Sequence, residues 1–260
     1  MKVPLNDIEV TYEESGSGSP VVLIHGLAED RRSWRDVQRR LQDFRTFAVD
    51  LRGHGQTTVG DGDGTLEQLG GDLIAFLEQV TGPAACVGFS LGGTIVLWAA
   101  AHRPDLVSRP VVVGTSSIVG RAAVEYFRQR IDMIRSDPDG FAAALRDDTA
   151  AQFVTGNGNV DELAALRLEA VGDGAGYINA ASAMARMGGH PLTPVVEQIR
   201  QPVEVIGAAN DMFCPKKAAD ILCAALPQSH YSEIADAGHL MSIDQPAVYA
   251  QTIQSALLRR

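Results

Sequence analysis

Apolar residues in this chain gather into short unbroken runs separated by amphipathic stretches. Val21-Val22-Leu23-Ile24, Thr46-Phe47-Ala48-Val49, Ala84-Ala85-Cys86-Val87, Val111-Val112-Val113 and Val203-Glu204-Val205-Ile206 lack the polar alternation of a half-solvated strand. They predict strands covered on both faces. Near the start, residues 5 to 12 alternate like a strand. From 65 to 80, Leu66, Leu69, Leu73, Phe76, Leu77 and Val80 recur at spacings of three and four, and Thr65 with Gln68 makes a capping-box pattern. Further helices are expected near 33–41, 91–101, 216–226 and 245–258. Strands that alternate with helices imply βαβ units, hence an α/β protein with a mostly parallel sheet and helices on both faces.

The alternation lapses between 116 and 190. Helical spacing persists there (Val124, Phe127, Ile131, Ile134; Leu163, Leu166, Ala170), broken by Asp137-Pro138-Asp139-Gly140, Gly156-Asn157-Gly158-Asn159 and Gly172-Asp173-Gly174-Ala175-Gly176. The segment reads as a helical insertion, a lid, whose Gly-rich breaks serve either as plain loops or as hinges. Residues 1–115 and 191–260 then form one core.

Composition excludes several function classes. Hydrophobic residues make up 45% of the 260 and charged residues 21%, ordinary values for a chain that buries a sizeable core. With 22 Lys+Arg against 32 Asp+Glu the formal charge is −10, the wrong sign for gripping a phosphate backbone, so nucleic acid is not an expected partner. The longest apolar stretch, 95 to 101, is far short of the roughly 20 residues of a membrane span. No basic-then-apolar leader opens the sequence, and the cytoplasm is the expected compartment. Cys86, Cys214 and Cys223 have no paired spacing and read as free thiols. No His-x-x-x-His or similar ligand spacing suggests a metal, and no cofactor is expected. The composition is silent on oligomeric state.

Gly88-Phe89-Ser90-Leu91-Gly92 is the one Gly-x-Ser-x-Gly in the chain. It follows an apolar run and opens a helix, as a nucleophile elbow requires: a strained turn lifts the serine above the sheet, and small neighbours at Gly88, Gly92 and Gly93 let strand and helix approach. A serine hydroxyl needs a base to take its proton, and an imidazole base needs a carboxylate to fix its tautomer. His239, in Asp236-Ala237-Gly238-His239-Leu240, follows the strand-like Ser229–Ile234. Asp211 follows Val203–Ile206 in the same way, with Asp236 its nearest competitor. The order Ser, Asp, His, each at a strand's carboxyl end, is the order this fold uses. His25 and His54 lie beside glycines in tight loops, His102 ends a helix, His190 closes the insertion and His230 falls inside a strand. For the oxyanion, the backbone amides of Leu91 and Leu27 are the expected donors.

With these residues in view, the chain resembles an α/β-hydrolase-fold serine hydrolase over nearly its full length. The matching segments are Val21 to Leu27, Asp50-Leu51-Arg52-Gly53-His54-Gly55, Gly88 to Gly93, Gly207 to Asp211 with Pro215, and Gly238-His239 with Gln245-Pro246. Ser90 separates it from haloalkane dehalogenases and epoxide hydrolases, which carry an aspartate nucleophile. The His25-Gly26-Leu27-Ala28 loop lacks the Gly-Pro-Gly extension usual in carbon–carbon bond hydrolases. Gly88-Phe89-Ser90 also resembles cofactor-free perhydrolases. The chain looks most like 3-oxoadipate enol-lactonase-like hydrolases, including Gly176-Tyr177-Ile178-Asn179-Ala180 at the lid's exit, although His190 stands near where relatives often carry an acidic residue.

The resemblance implies hydrolysis of a small carboxylic ester or lactone through an acyl-enzyme on Ser90. Alternatives are carbon–carbon cleavage or perhydrolysis by the same groups, or a non-catalytic ligand-binding role on the same fold. Candidate pocket residues are Phe89, Tyr126, Phe127, Met133, Met184, Met187, Phe213 and Leu240, each also readable as plain core. Arg121, Arg128, Arg130 and Arg135 either bind a substrate carboxylate or form a solvated helix face.

Overall fold

The computed structural model describes residues 1–259. Among them, strands β1 (Lys2–Leu5), β2 (Ile8–Ser15), β3 (Ser19–Ile24), β4 (Phe44–Val49), β5 (Ala84–Phe89), β6 (Val107–Val113), β7 (Val203–Ala208) and β8 (Ser229–Ile234) form one sheet in the order β1-β2-β4-β3-β5-β6-β7-β8. The pairs β1/β2 and β2/β4 are antiparallel and all others parallel. The helices are α1 (Arg35–Arg40), α2 (Leu66–Phe76), α3 (Leu91–His102), α4 (Arg121–Ser136), α5 (Pro138–Ala150), α6 (Val160–Val171), α7 (Ala175–Arg186), α8 (Thr193–Val196), α9 (Lys216–Ala225), α10 (Met241–Asp244) and α11 (Pro246–Leu258).

The unbroken apolar runs are strands with two dry faces. Within β3, Val22 and Ile24 join a cluster with α2, α3, α8 and α9, while Val21 and Leu23 join the opposite cluster with Trp34, α1 and α11. The period of two therefore feeds two cores, one on each side of the sheet.

Two expectations need correction. The alternating stretch 5–12 is not one strand but the closing of a hairpin: Leu5 pairs with Ile8 across Asn6-Asp7, with Asn6 at φ 51. A two-residue turn with positive φ suits asparagine, and it shifts the alternation by one residue. The helix expected over 65–80 keeps regular geometry only to Phe76 and then widens into a π turn, Leu77–Thr81, closed by Gly82 at φ 67.

Four helices, α4 to α7, stand between β6 and β7 and pack on one another around Ile131, Phe141, Leu145, Val171, Tyr177 and Ala181. The first Gly-rich break is a corner rather than a loop, since Asp137 caps α5 through the Gly140 amide at 3.0 Å and Pro138 starts the helix. Of the three breaks only the third places glycine at positive φ, Gly172 at 59 and Gly174 at 87. At its end, Gly176 lies backbone to backbone against Gly53, where an added Cβ on Gly53 would come 2.4 Å from the Gly176 Cα. Among the described residues no helix is long and apolar enough to cross a membrane, and no cluster of metal-ligating side chains occurs.

Candidate active site

Ser90 joins β5 to α3 with φ 52 and ψ −115, backbone angles that L-residues adopt only under constraint. The constraint is packing. A Cβ on Gly88 would fall 2.3 Å from the Gly92 carbonyl carbon, one on Gly92 2.2 Å from the Ile24 oxygen, and one on Gly93 1.9 Å from Thr115 Oγ1. Strand and helix can meet this closely only because all three positions lack side chains. The Ser90 amide donates to the Val113 carbonyl at 2.8 Å, which pins the turn to β6.

His239 and Asp211 arrive from the far side of the helical insertion. His239 Nε2 lies 3.1 Å from Ser90 Oγ, and Nδ1 lies 2.8 Å from Asp211 Oδ2. The other carboxylate oxygen, Oδ1, accepts the amides of Phe213 and Cys214, each at 2.8 Å, so the loop after β7 wraps its own aspartate in a turn. Burial pushes the Asp211 carboxyl up. The His239 charge, the hydrogen bond to its ring and the two amides outweigh this, and the net shift is below the usual carboxylate range. The imidazole sits between two aromatic rings, Phe89 at 4.9 Å and Phe213 at 5.5 Å between centroids. Asp236, the competing carboxylate, occupies an exposed turn at φ 51.

The other histidines are engaged elsewhere. His25 Nε2 accepts the Leu51 amide at 2.9 Å and Nδ1 faces the Gly26 carbonyl at 2.8 Å. His54 is buried beside it, His102 stacks on Trp98, His190 is exposed, and His230 pairs with Glu204. The loop that begins at His25 passes the serine closely, since a Cβ on Gly26 would be 3.4 Å from the Ser90 Cβ. Among the described residues, the amides of Leu27 and Leu91 have no protein acceptor, and both residues border the cavity above Ser90.

That cavity has a volume of about 510 Å³. Of the expected pocket residues, Phe89, Tyr126, Phe127, Met184 and Phe213 line it, and Met133, Met187 and Leu240 do not. Met133 turns into the insertion's own core, Met187 is buried where the insertion returns to the sheet, and Leu240 packs in the α11-side cluster. Leu240 also borders a separate cleft behind the site. The expected lid arginines are likewise elsewhere. Arg121, Arg128 and Arg135 are exposed on α4, and Arg130 is held by Asp148 through two 2.8 Å bonds.

Four residues bordering the site carried no sequence expectation: Gln152, Arg167, Tyr177 and Asp244. Asp244 on α10 accepts the Gly238 amide at 2.7 Å, the Thr155 amide at 2.7 Å and hydroxyl at 2.6 Å, and the Val154 amide at 3.0 Å. It thereby ties the His239 loop to the insertion. Arg167 did leave a sequence signal. It stands four residues after Leu163 and three before Ala170, a charge on the apolar stripe of its helix.

An eight-stranded, mostly parallel sheet carrying a strained serine turn defines the class. The chain belongs to the alpha/beta hydrolase fold family, whose model matches residues 19–246. It is 26% identical over 260 residues to 3-oxoadipate enol-lactonase 2 of Acinetobacter baylyi, covering 97% of this chain and 94% of that protein. Among solved structures it is similar to the enol-lactonase from Burkholderia xenovorans LB400, with a TM-score of 0.89, 25% identity and full coverage of both chains. It is also similar to a thermophilic esterase from Thermogutta terrifontis, with a TM-score of 0.85 and 25% identity over 99% of this chain and 98% of that one.

Proposed function

We propose that this protein hydrolyses a small carboxylic ester or lactone through an acyl-enzyme on Ser90. The observation that carries the reading is the continuous line from Asp211 Oδ2 through His239 to Ser90 Oγ, at 2.8 and 3.1 Å. In the first half-reaction His239 Nε2 takes the Ser90 proton as Oγ adds to the ester carbonyl. The same proton then passes to the departing alkoxide. Asp211 holds the Nδ1 proton and stabilises the imidazolium that forms between those steps. The amides of Leu27 and Leu91 receive the oxyanion, and their lack of protein acceptors supports that role. In the second half-reaction water adds to the acyl carbon with His239 again as base, the bond to Ser90 Oγ breaks as that proton returns to it, and the acid leaves. No step needs a metal or cofactor.

Residues 116–190 act as a lid over the site in this reading, because the cavity wall combines Tyr126, Phe127 and Met184 from the insertion with Phe89 and Phe213 from the core. The mainly apolar wall and modest volume support a small-molecule substrate.

The test is turnover of short p-nitrophenyl esters and simple lactones by the wild-type protein with Ser90→Ala as the blank. Ester turnover that drops at least ~1,000-fold in the variant is expected. Undiminished turnover in Ser90→Ala overturns the proposal. Labelling of Ser90 by a fluorophosphonate without multiple turnover would mark a binding protein instead.

A further inference from the structure

The cavity above Ser90 differs in charge from the molecule around it. The chain carries a formal charge of −10, yet no aspartate or glutamate lines the cavity, whereas Arg167 and Lys217 do. Lys217 is an exposed residue, while Arg167, on α6, is half-buried.

The hydrogen-bond acceptors of Arg167 are all neutral. Nη1 donates to Thr149 Oγ1 and to Gln152 Oε1, both at 3.0 Å, and Nη2 donates to the Leu27 carbonyl at 3.4 Å. The buried Nε–H has no acceptor among the described residues. Nor does any carboxylate among the described residues lie within salt-bridge distance, in contrast to Arg130, which Asp148 neutralises. Glu29 feels the Arg167 charge, but its carboxylate accepts the Gly26 amide at 3.3 Å and its burial pushes its pKa up, disfavouring the charged form. A guanidinium held among neutral acceptors keeps an unsatisfied demand for an anion. Nη2 carries one long bond for two N–H groups and so keeps donor capacity for a carboxylate.

We infer that Arg167 is the anchor for a carboxylate on the substrate itself, so that the ester or lactone hydrolysed is a monoanion such as a half-ester of a dicarboxylic acid. This rests on the ester or lactone reading above and narrows it. The apolar wall, including Phe127 and Met184, then accommodates the methylene chain between the carboxylate and the reacting carbonyl. The guanidinium also shares the Leu27 residue with the oxyanion loop, so a carboxylate seated on Arg167 lies close to the acyl site.

The experiment compares monomethyl succinate, glutarate and adipate with counterparts in which the free carboxylate is a carboxamide. Wild-type kcat/KM is expected to favour the best half-ester over its amide by at least ~10-fold, and Arg167→Met to bring that ratio to about 1. Arg135→Gln, which removes a charge from the exposed face of α4, is expected to keep the ratio. The same pairs are measured by calorimetric binding to Ser90→Ala and to Ser90→Ala/Arg167→Met, where turnover plays no part. Arg167→Lys serves if the methionine variant does not fold, with a reduced but surviving preference expected.

Absence of any preference for the half-ester overturns the inference, as does a preference that survives Arg167→Met. An equal fall for both members of a pair overturns it too, since that marks a positioning role at the Leu27 loop. Binding preference in Ser90→Ala without wild-type turnover of either compound supports the anchor and removes the hydrolase reading, so the two failures are distinguishable.

Discussion

The Asp244 carboxylate accepts the Gly238 amide at 2.7 Å, one residue before His239. The same buried carboxylate holds the Val154 and Thr155 amides and the Thr155 hydroxyl on the insertion. One side chain thus joins the imidazole's loop to the helical layer above it. Asp244→Ala leaves the buried Gly238 amide and the part-buried Val154 and Thr155 amides without their charged acceptor and is expected to cost about 3 kcal/mol of stability. Urea unfolding measures the loss, and the rate of Ser90 labelling by a fluorophosphonate, measured on the folded variant, is expected to fall with it. A variant as stable as wild type would show that the amides find other acceptors.

Ser90 pays for its position with backbone strain at φ 52 and ψ −115. Glycine reaches these angles without a Cβ clash. Ser90→Gly is therefore expected to be more stable than Ser90→Ala by about 1 kcal/mol, against the usual order in which alanine is favoured for its smaller unfolded-state entropy. Paired thermal melts of the two inactive variants decide the matter. Equal melting temperatures would mean that the turn relaxes when the hydroxyl is removed.

His25 and His54 lie in the core with ring centroids 5.4 Å apart. Burial lowers the pKa of each from 6.5 to about 4, with the charge of His25 adding to the effect on His54. In the unfolded chain both regain ordinary values, so between about pH 6.5 and about pH 4 the unfolded state binds more protons than the native one. Stability then falls as pH falls through that window, by up to about 1.4 kcal/mol per pH unit for each ring. Urea midpoints from about pH 7 to about pH 5 are expected to decline, and His54→Gln to flatten the decline by about half. A profile unchanged in that variant would place the acid sensitivity elsewhere.

Much of this architecture is legible in the amino-acid order because it rests on local rules. The apolar runs of β3 to β7 are strands since two dry faces leave little place for polar residues, and the span Ser229–Ile234 is β8 residue for residue. The serine turn is readable because close backbone approach demands glycine at 88, 92 and 93. The insertion is harder. Helical spacing shows that Met133 and Met184 each lie on an apolar stripe, but not which stripe faces the cavity and which faces the neighbouring helix. The charges of α4 keep two readings in the sequence for the same reason: Arg121, Arg128 and Arg135 form the solvated face, and Arg130 is neutralised by Asp148, a partner 18 residues away on α5, whereas Arg167 donates only to neutral acceptors. Such pairings depend on how helices cross, which no single-helix period encodes. The N-terminal hairpin is hidden because the alternation of polar and apolar residues continues through Asn6-Asp7, where the chain reverses.

The seat of Gly176 on Gly53 has a mechanical meaning. Two backbones already in contact act as a bearing without clearance, so α7 cannot settle deeper toward the sheet, and with Gly64 bonded to Asn179 at 2.6 Å it is also fastened against lifting. That helix belongs to the frame. Elsewhere the insertion is tied to the core by polar contacts, Asp244 on Thr155 and Arg32 on Glu169 at 3.0 Å. A crosslink from α7 to the core is therefore expected to leave ester turnover unchanged.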